Sequence, residues 1–183
     1  MTNYFTKVGT TENIFFKIQS LWGYGIVTTK FAFDSPAVKD FIANDNTKFD
    51  LVISEQFQQE SFNMFAHKYN CPLITISTLD IADFMDRARG ALTPWSHVPH
   101  FFSDKTDKMS FLERAENTAA SLFDAIGRKF YYLPKQTALA REAFVALENQ
   151  QGGRLPSTED LEKRIAVHLV NSNPALSYPR PRM

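Results

Sequence analysis

The stretch FDLVISEQ, Phe49–Gln56, carries an apolar run into a carboxylate. Leu51, Val52 and Ile53 suit a strand buried on both faces. Glu55 then stands at the carboxyl end of that strand, directly before a helical pattern. Ligands of open parallel sheets bind beyond such ends, so Glu55 is the strongest single candidate for function. Its structural alternative is a cap or first-turn acid at the positive end of the next helix. His97 and His100 stand three apart across Pro99. No third or fourth ligand has matching spacing, so they read as packed or pocket-lining rather than metal-binding. Trp95, Phe101 and Phe102 either line an apolar pocket or cover one edge of the sheet. Cys71, the single cysteine, reads as a small buried hydrophobe. His168 reads as a hydrogen-bonded core residue. His67 falls late in a helix, where a cation suits the C-terminal dipole.

Several chemistries lack their signatures. There is no G-x-G-x-x-G after a strand, no P-loop and no nucleophile elbow. Twenty basic residues balance twenty acidic ones, which gives nucleic-acid binding no support. One cysteine permits no internal disulfide. No run reaches the roughly 18 apolar residues of a membrane-spanning helix. The first ten residues, MTNYFTKVGT, lack the apolar core of a signal peptide. With 183 residues, 44% of them hydrophobic, the chain suits one domain with a sizeable core. Its seventeen Phe require large aromatic contacts in a core, a pocket or an interface.

The elements that must position these residues follow from periodicity. Residues 1–13 are polar and read as loose. Residues 14–33 begin as a helix, but Gly23 and Gly25 argue against its continuing. Ser35 and Pro36 open a short helix with Val38, Phe41 and Ile42 on its apolar face. The spacing predicts a strand over Phe49–Ser54, a helix over Phe57–Tyr69, and a strand over Pro72–Ser77. Asn70 takes the left-handed position between the last two. Strand, helix, strand with short turns is a βαβ unit, so the strands are parallel. Residues 78–108 look irregular, and an irregular segment of that length is more often functional than idle. A long helix is expected from about Lys108 to Leu133, with Leu112, Ala115, Ala119, Leu122, Ile126, Phe130 and Leu133 as its apolar stripe. Ser110 and Glu113 have capping-box spacing, although Asp107 is an alternative cap, and Pro134 closes the helix. Gln136–Asn149 and Ser157–Arg164 read as helices, and Ile165–Val170 as a third parallel strand.

Five stretches in order, FDLVISE, AHKYNCPLITIST, SHVPHFFSDKTDKMSFLERAENT, FYYLPKQ and LVNSNPALSYPRP, resemble the amino-terminal domain of the UDP-glycosyltransferases. The likeness is strongest to insect members of the UDP-glucuronosyltransferase group, and it covers most of residues 49–182. The resemblance implies an α/β fold, a Rossmann-like parallel sheet forming the amino-terminal half of a GT-B enzyme, here without its first strands. Residues 1–176 would then be a partial acceptor-binding domain and residues 177–183 the start of the interdomain linker. It implies an inverting transfer of glucose or glucuronic acid from a UDP-sugar to a hydroxyl of a small lipophilic acceptor, as in detoxification. The UDP-sugar is a co-substrate held by the other half, so no cofactor or metal is expected here. The full-length family works on the lumenal side of the endoplasmic reticulum membrane.

In that family an acid at the end of a strand orients a histidine base. Aligned on FDLVISE, Glu55 falls at the acid's position, where many members carry Asp. A carboxylate beside an imidazole fixes its tautomer and raises its basicity. The family's histidine lies in a turn after the first strand, upstream of this sequence. The acceptor surface is expected to include Phe57, Trp95, His97, His100, Phe101 and Phe102. Without its leading strands such a sheet exposes edges and apolar faces, so poor solubility or association with another subunit is expected. The alternative reading is a non-catalytic truncated product that binds apolar ligands or pairs with full-length enzyme. A receiver-like domain is a third reading, disfavoured by the lack of a second acidic cluster and of a placed lysine.

Overall fold

The computed structural model describes residues 13–173, 175 and 177–179. Helix α1 spans Ile14–Asp34 and α2 spans Pro36–Asn44. Strand β1, Val52–Glu55, leads through a 3-10 turn at Glu60–Asn63 into α3, Met64–Lys68. Strand β2 is Leu73–Ser77 and α4 is Asp83–Ala88. Helix α5, Phe111–Gly127, passes through a π turn at Arg128–Tyr132 into α6, Leu133–Ala143. Helices α7, Val145–Gln151, and α8, Thr158–Glu162, precede β3, Ile165–Val170. The three strands form one parallel sheet in the order β1-β2-β3. This is the α/β, Rossmann-like arrangement expected from the βαβ pattern. Asn70 has φ 48°, and Ser110 and Glu113 cap α5 reciprocally. The expectation for residues 1–13 lies outside the described residues except at Asn13, whose side chain caps α1.

Four expectations need correction. First, α1 runs unbroken through Gly23 and Gly25. Burial of Ile18, Trp22 and Phe33 outweighs a propensity cost of about 1 kcal/mol per glycine. Gly25 is required there, because a Cβ would lie 2.6 Å from the Gln58 carbonyl oxygen and 2.8 Å from the Tyr132 hydroxyl. Second, the helix expected over Phe57–Tyr69 is only Glu60–Lys68, since Gln58 adopts φ 61° and turns the chain. Third, Pro134 does not close a helix. It sits in the first turn of α6, where its missing N–H costs nothing, and the π turn delivers the chain to it. A second break at Phe144 then separates α6 from α7. Fourth, the segment 78–108 is not wholly irregular, because it contains α4.

The largest departure is the orientation of α5. Its buried face is Asn117, Ala120, Ser121 and Asp124, continued by Arg128 in the π turn. Apart from Leu133, which is buried, the apolar stripe points outward: Leu112 is 77% exposed, Leu122 47%, Ile126 51% and Phe130 72%. Inward polar groups win because each but Ser121 meets a partner from a remote segment, and a satisfied buried polar group costs little. The sheet is also covered on one face only. Register places Ile53 beside Ile74 and Val167, and Ile76 beside Leu169, on the open side. Ile53, Val167 and Leu169 are all about half exposed or more. The opposite face, through Leu73, Thr75 and Ser77, is buried against the helices.

Two apolar clusters hold the helical layer. Ile18, Trp22, Ala120 and Tyr132 join α1 to α5 and the π turn. Phe33, Met64, Phe144, Leu155 and Leu161 join α1, α3 and the carboxy-terminal helices. Gly127 lies against the Trp22 ring with no room for a Cβ. Gly127→Ala should gain about 1 kcal/mol in helix propensity but lose about 1–3 kcal/mol by overpacking, with further loss if Trp22 leaves Asp124. The variant is expected to be net destabilised in urea unfolding, and a raised midpoint would contradict the contact.

Candidate functional site

Glu55 is the last residue of β1 and is exposed. Its Oε1 accepts a hydrogen bond from the Thr78 hydroxyl at 3.2 Å. Thr78 follows β2, and its carbonyl accepts from Asn171 at the end of β3. The carboxyl ends of all three strands are thus tied together around Glu55. None of the described histidines hydrogen-bonds it. His168 contacts Thr75 at 2.7 Å, His97 contacts the Pro179 carbonyl at 3.1 Å, and His100 faces Asp124.

Two residues beyond Thr78 the chain enters the wall of a cavity of about 170 Å3. Asp83, Trp95, His100, Phe101, Ser121 and Tyr178 are among the residues that line it. It lies on the side of the strands' carboxyl ends, where parallel sheets place ligands. Trp95 donates its indole N–H to Asp83 Oδ1 at 3.1 Å, which fixes the ring as one wall. Asp83 is paired on its other oxygen with Arg87. Phe101 forms a second wall and is packed from behind by Phe57, with centroids 6.2 Å apart.

The loop that shapes this cavity is held by Asn117. Its Oδ1 accepts from the His100 backbone N–H at 2.7 Å, and its Nδ2 donates to the carbonyls of Trp95 and Val98 at 2.8 and 3.0 Å. His100 is buried. Its Nδ1 accepts the Phe102 backbone N–H at 3.3 Å, and its Nε2 lies 3.7 Å from Asp124 Oδ2. With both nitrogens engaged, His100 is a wall and not a free base. Burial pushes Asp124 up, but contact with His100 and the charges of His100, Arg128 and Arg87 outweigh it and hold Asp124 below the usual carboxylate range.

The six expected acceptor residues therefore separate. Trp95, His100 and Phe101 line the cavity. Phe57 supports Phe101, and His97 fastens the tail beside Tyr178. Phe102 instead packs against the α1 cluster. Glu55 stands outside the cavity, joined to it through the 78–82 loop. Asp83, Ser121 and Tyr178 were not anticipated. Of these only Ser121 had a sequence signal, the polar series Asn117, Ser121, Asp124, Arg128 at helical spacing, which marks a face that must find partners. Among the described residues no group of three or more His, Cys, Asp or Glu is placed to hold a metal ion. Burial, then Asp50, raises the Cys71 thiol, so it is a poor nucleophile. Burial, then Arg89, lowers His168, which favours its neutral form.

A sequence profile for UDP-glucoronosyl and UDP-glucosyl transferase matches residues 15–183. The chain belongs to that family. The UDP-glycosyltransferase UGT4 of Dactylopius coccus is 25% identical over 146 residues, covering 80% of this chain and 28% of the relative. The 2-hydroxyacylsphingosine 1-beta-galactosyltransferase of Mus musculus is 35% identical over 96 residues, 51% of this chain and 16% of its own length. The human UDP-glucuronosyltransferase 2B7 is 28% identical over 160 residues, 86% of this chain and 28% of the relative. The chain thus spans little more than a quarter of the length of the first of these relatives. No solved structure matches it. Among the described residues no helix is long and apolar enough to cross a membrane.

Beneath the site of this glycosyltransferase-family chain lies a fully buried ion cluster. Arg128 pairs with Glu60 and, at 3.2 Å, with Glu162. The Tyr132 hydroxyl donates to Glu60 at 2.8 Å and contacts the Gln58 carbonyl. Burial raises Glu162 to about 7, opposed by Arg128 and reinforced by Glu60. A carboxylate raised on folding binds more protons in the native than in the unfolded state. Its contribution is therefore greatest at low pH and is lost as pH rises from about 4.5, the ordinary value, through about 7. Glu162→Gln is expected to flatten the fall in melting temperature between pH 5 and 7.5. An unchanged slope would show that Glu162 is not the titrating group.

Proposed function

We propose that this chain is the acceptor-binding part of an inverting UDP-glycosyltransferase. The whole protein moves glucose or glucuronic acid from a UDP-sugar to a hydroxyl of a small lipophilic molecule, at the lumenal face of the endoplasmic reticulum membrane. The observation that carries this reading is the sharing of one loop by Glu55 and an aromatic cavity, at the carboxyl ends of the strands. The acceptor's ring lies between Trp95 and Phe101. A cavity of about 170 Å3 suits one aromatic ring, since an apolar void of about 150 Å3 takes benzene.

In this mechanism Glu55 is a positioning residue. Its carboxylate orients an imidazole that takes the acceptor's proton as the hydroxyl oxygen attacks the sugar's anomeric carbon. The bond from that carbon to the UDP oxygen breaks, and the single displacement inverts the centre. Because Glu55 meets no histidine among the described residues, the base comes from elsewhere in the working enzyme.

That same observation favours a second role for the chain by itself: binding apolar ligands, or pairing with full-length enzyme, without turnover. With radiolabelled UDP-glucose or UDP-glucuronic acid and a single-ring phenol, the chain alone should transfer nothing. The phenol should nonetheless quench Trp95 fluorescence, read as the difference from Trp95→Phe. Phe101→Ala should weaken that binding by about three- to tenfold, the size of one aromatic contact. Turnover by the chain alone would overturn the placement of the base, and absence of saturable quenching would remove the acceptor site.

The open sheet face supports association. Size-exclusion chromatography should show larger species as concentration rises, and the double variant Ile53→Lys, Val167→Lys should restore the monomer. A unit-sized peak at every concentration of the unaltered chain would refute this.

A further inference from the structure

The cavity at Trp95 is small for its class. At about 170 Å3 it falls below the 300–1,000 Å3 usual for small-molecule sites, whereas a second cavity, between α4, the π turn and α8, reaches about 420 Å3. Three walls of the smaller one are fixed from within. Trp95 donates to Asp83 at 3.1 Å, and its carbonyl accepts from Asn117 at 2.8 Å. Phe101 is packed by Phe57 and Phe102, with centroids 6.2 and 5.3 Å away. His100 is buried with both ring nitrogens engaged. None of these walls can retreat without breaking buried contacts.

Tyr178 differs from them. It belongs to the tail after β3, is half-buried, and lines the same cavity. The tail starts at the corner that holds Glu55, where the Asn171 backbone N–H donates to the Ser77 carbonyl at 2.9 Å. Its turn is closed by the Ser177 N–H on the Asn173 carbonyl at 3.0 Å. Among the described residues, two hydrogen bonds then join residues 178 and 179 to the loop of Trp95 and His100. The Tyr178 hydroxyl reaches the Lys105 carbonyl only at 3.5 Å, which is weak. His97 Nε2 lies 3.1 Å from the Pro179 carbonyl. A carbonyl only accepts, so Nε2 carries the proton and is the firmer tie.

We propose that Tyr178 is the specificity-determining residue of this cavity and that His97 is the positioning residue that holds it there. The Tyr178 ring closes the slot between Trp95 and Phe101 and limits it to an acceptor of one ring. His97 acts through Pro179, at the rim, without forming a wall itself. This inference rests on the acceptor-binding reading and adds the size of acceptor that the site takes. A fused second ring carries more apolar surface, so an open groove would bind it more tightly than a single ring. A closed site reverses that order, because overfilling a packed space costs more than the added burial returns. Preference for the smaller ligand is therefore the mark of an intact Tyr178 wall.

Methyl-detected NMR of the full chain tests it, with phenol and naphthol as probes and the methyls of Ile81 and Val98, which line the cavity, as reporters. Phenol should cause saturable shifts, and naphthol should bind about tenfold more weakly. Tyr178→Ala should reverse the order, with naphthol the tighter ligand. Tyr178→Phe keeps the ring and loses only the weak hydroxyl contact, so it should keep the preference for phenol. His97→Ala should move the ratio in the same direction as Tyr178→Ala. His97→Gln, whose amide N–H can replace Nε2–H, should restore it. If Tyr178→Ala does not fold, His97→Ala frees the same wall. Saturable phenol binding with naphthol already tighter in the unaltered chain, or with an unchanged ratio in Tyr178→Ala, would overturn the inference and leave the acceptor site standing. An unchanged ratio in His97→Ala would overturn the role of His97. Absence of saturable phenol shifts from the unaltered chain and from Tyr178→Ala would overturn the acceptor reading and this inference with it.

Discussion

The structure depends on the burial of Arg128 between Glu60 and Glu162. These residues come from the π turn, the 3-10 turn after β1, and the helix before β3. One guanidinium therefore ties both outer strands to the helical layer. Charges this deeply buried are unfavourable unless paired and hydrogen-bonded, so removing one partner costs far more than the pair is worth. The neighbours meet that requirement in part. Tyr132 donates to Glu60, Gln136 Nε2 donates to the Tyr132 oxygen at 3.0 Å, and the Ser61 hydroxyl donates to the Gln136 carbonyl at 2.7 Å. Every member lies on the segment that follows β1 or on the helices that clamp it. The position of Glu55, five residues before Glu60, follows from this cluster.

The reversed face of α5 comes from the same requirement. Asn117 makes three hydrogen bonds to the loop 95–100, and Asp124 accepts from the Trp22 indole at 3.0 Å. These bonds shape the aromatic cavity, and they leave leucine, isoleucine and phenylalanine outside. An apolar stripe on the surface of a helix and an apolar face on an open parallel sheet share a meaning: each is suited to contact rather than to water. The site is thus built between two surfaces that the described residues do not cover.

The two cavities divide the chemistry. The smaller has an aromatic slot next to an acid at the strand ends, where an acceptor hydroxyl can be presented to a base. The larger, of about 420 Å3 between α4, the π turn and α8, has apolar walls among Arg87, Arg128, Lys129, Lys163, Glu159 and Glu162. Their separation by α4 and its Asp83–Arg87 pair means that occupancy of one need not displace the other.

Local patterns made much of the fold legible in the sequence. Alternating strand and helix signals gave the parallel sheet, Asn70 its turn, and Ser110 with Glu113 the start of α5, because each depends on residues within a few positions. Glu55 at a strand end, and Trp95, His100 and Phe101 as pocket walls, were legible for the same reason or through likeness to the family. Tertiary structure alone decided that α1 continues through Gly25, that α5 buries its polar face, and that Arg128 meets acids 68 and 34 residues away. Periodicity reveals that a helix has two faces. Which one turns inward depends on whether remote segments supply the partners that make burying polar groups affordable, and no local pattern carries that information.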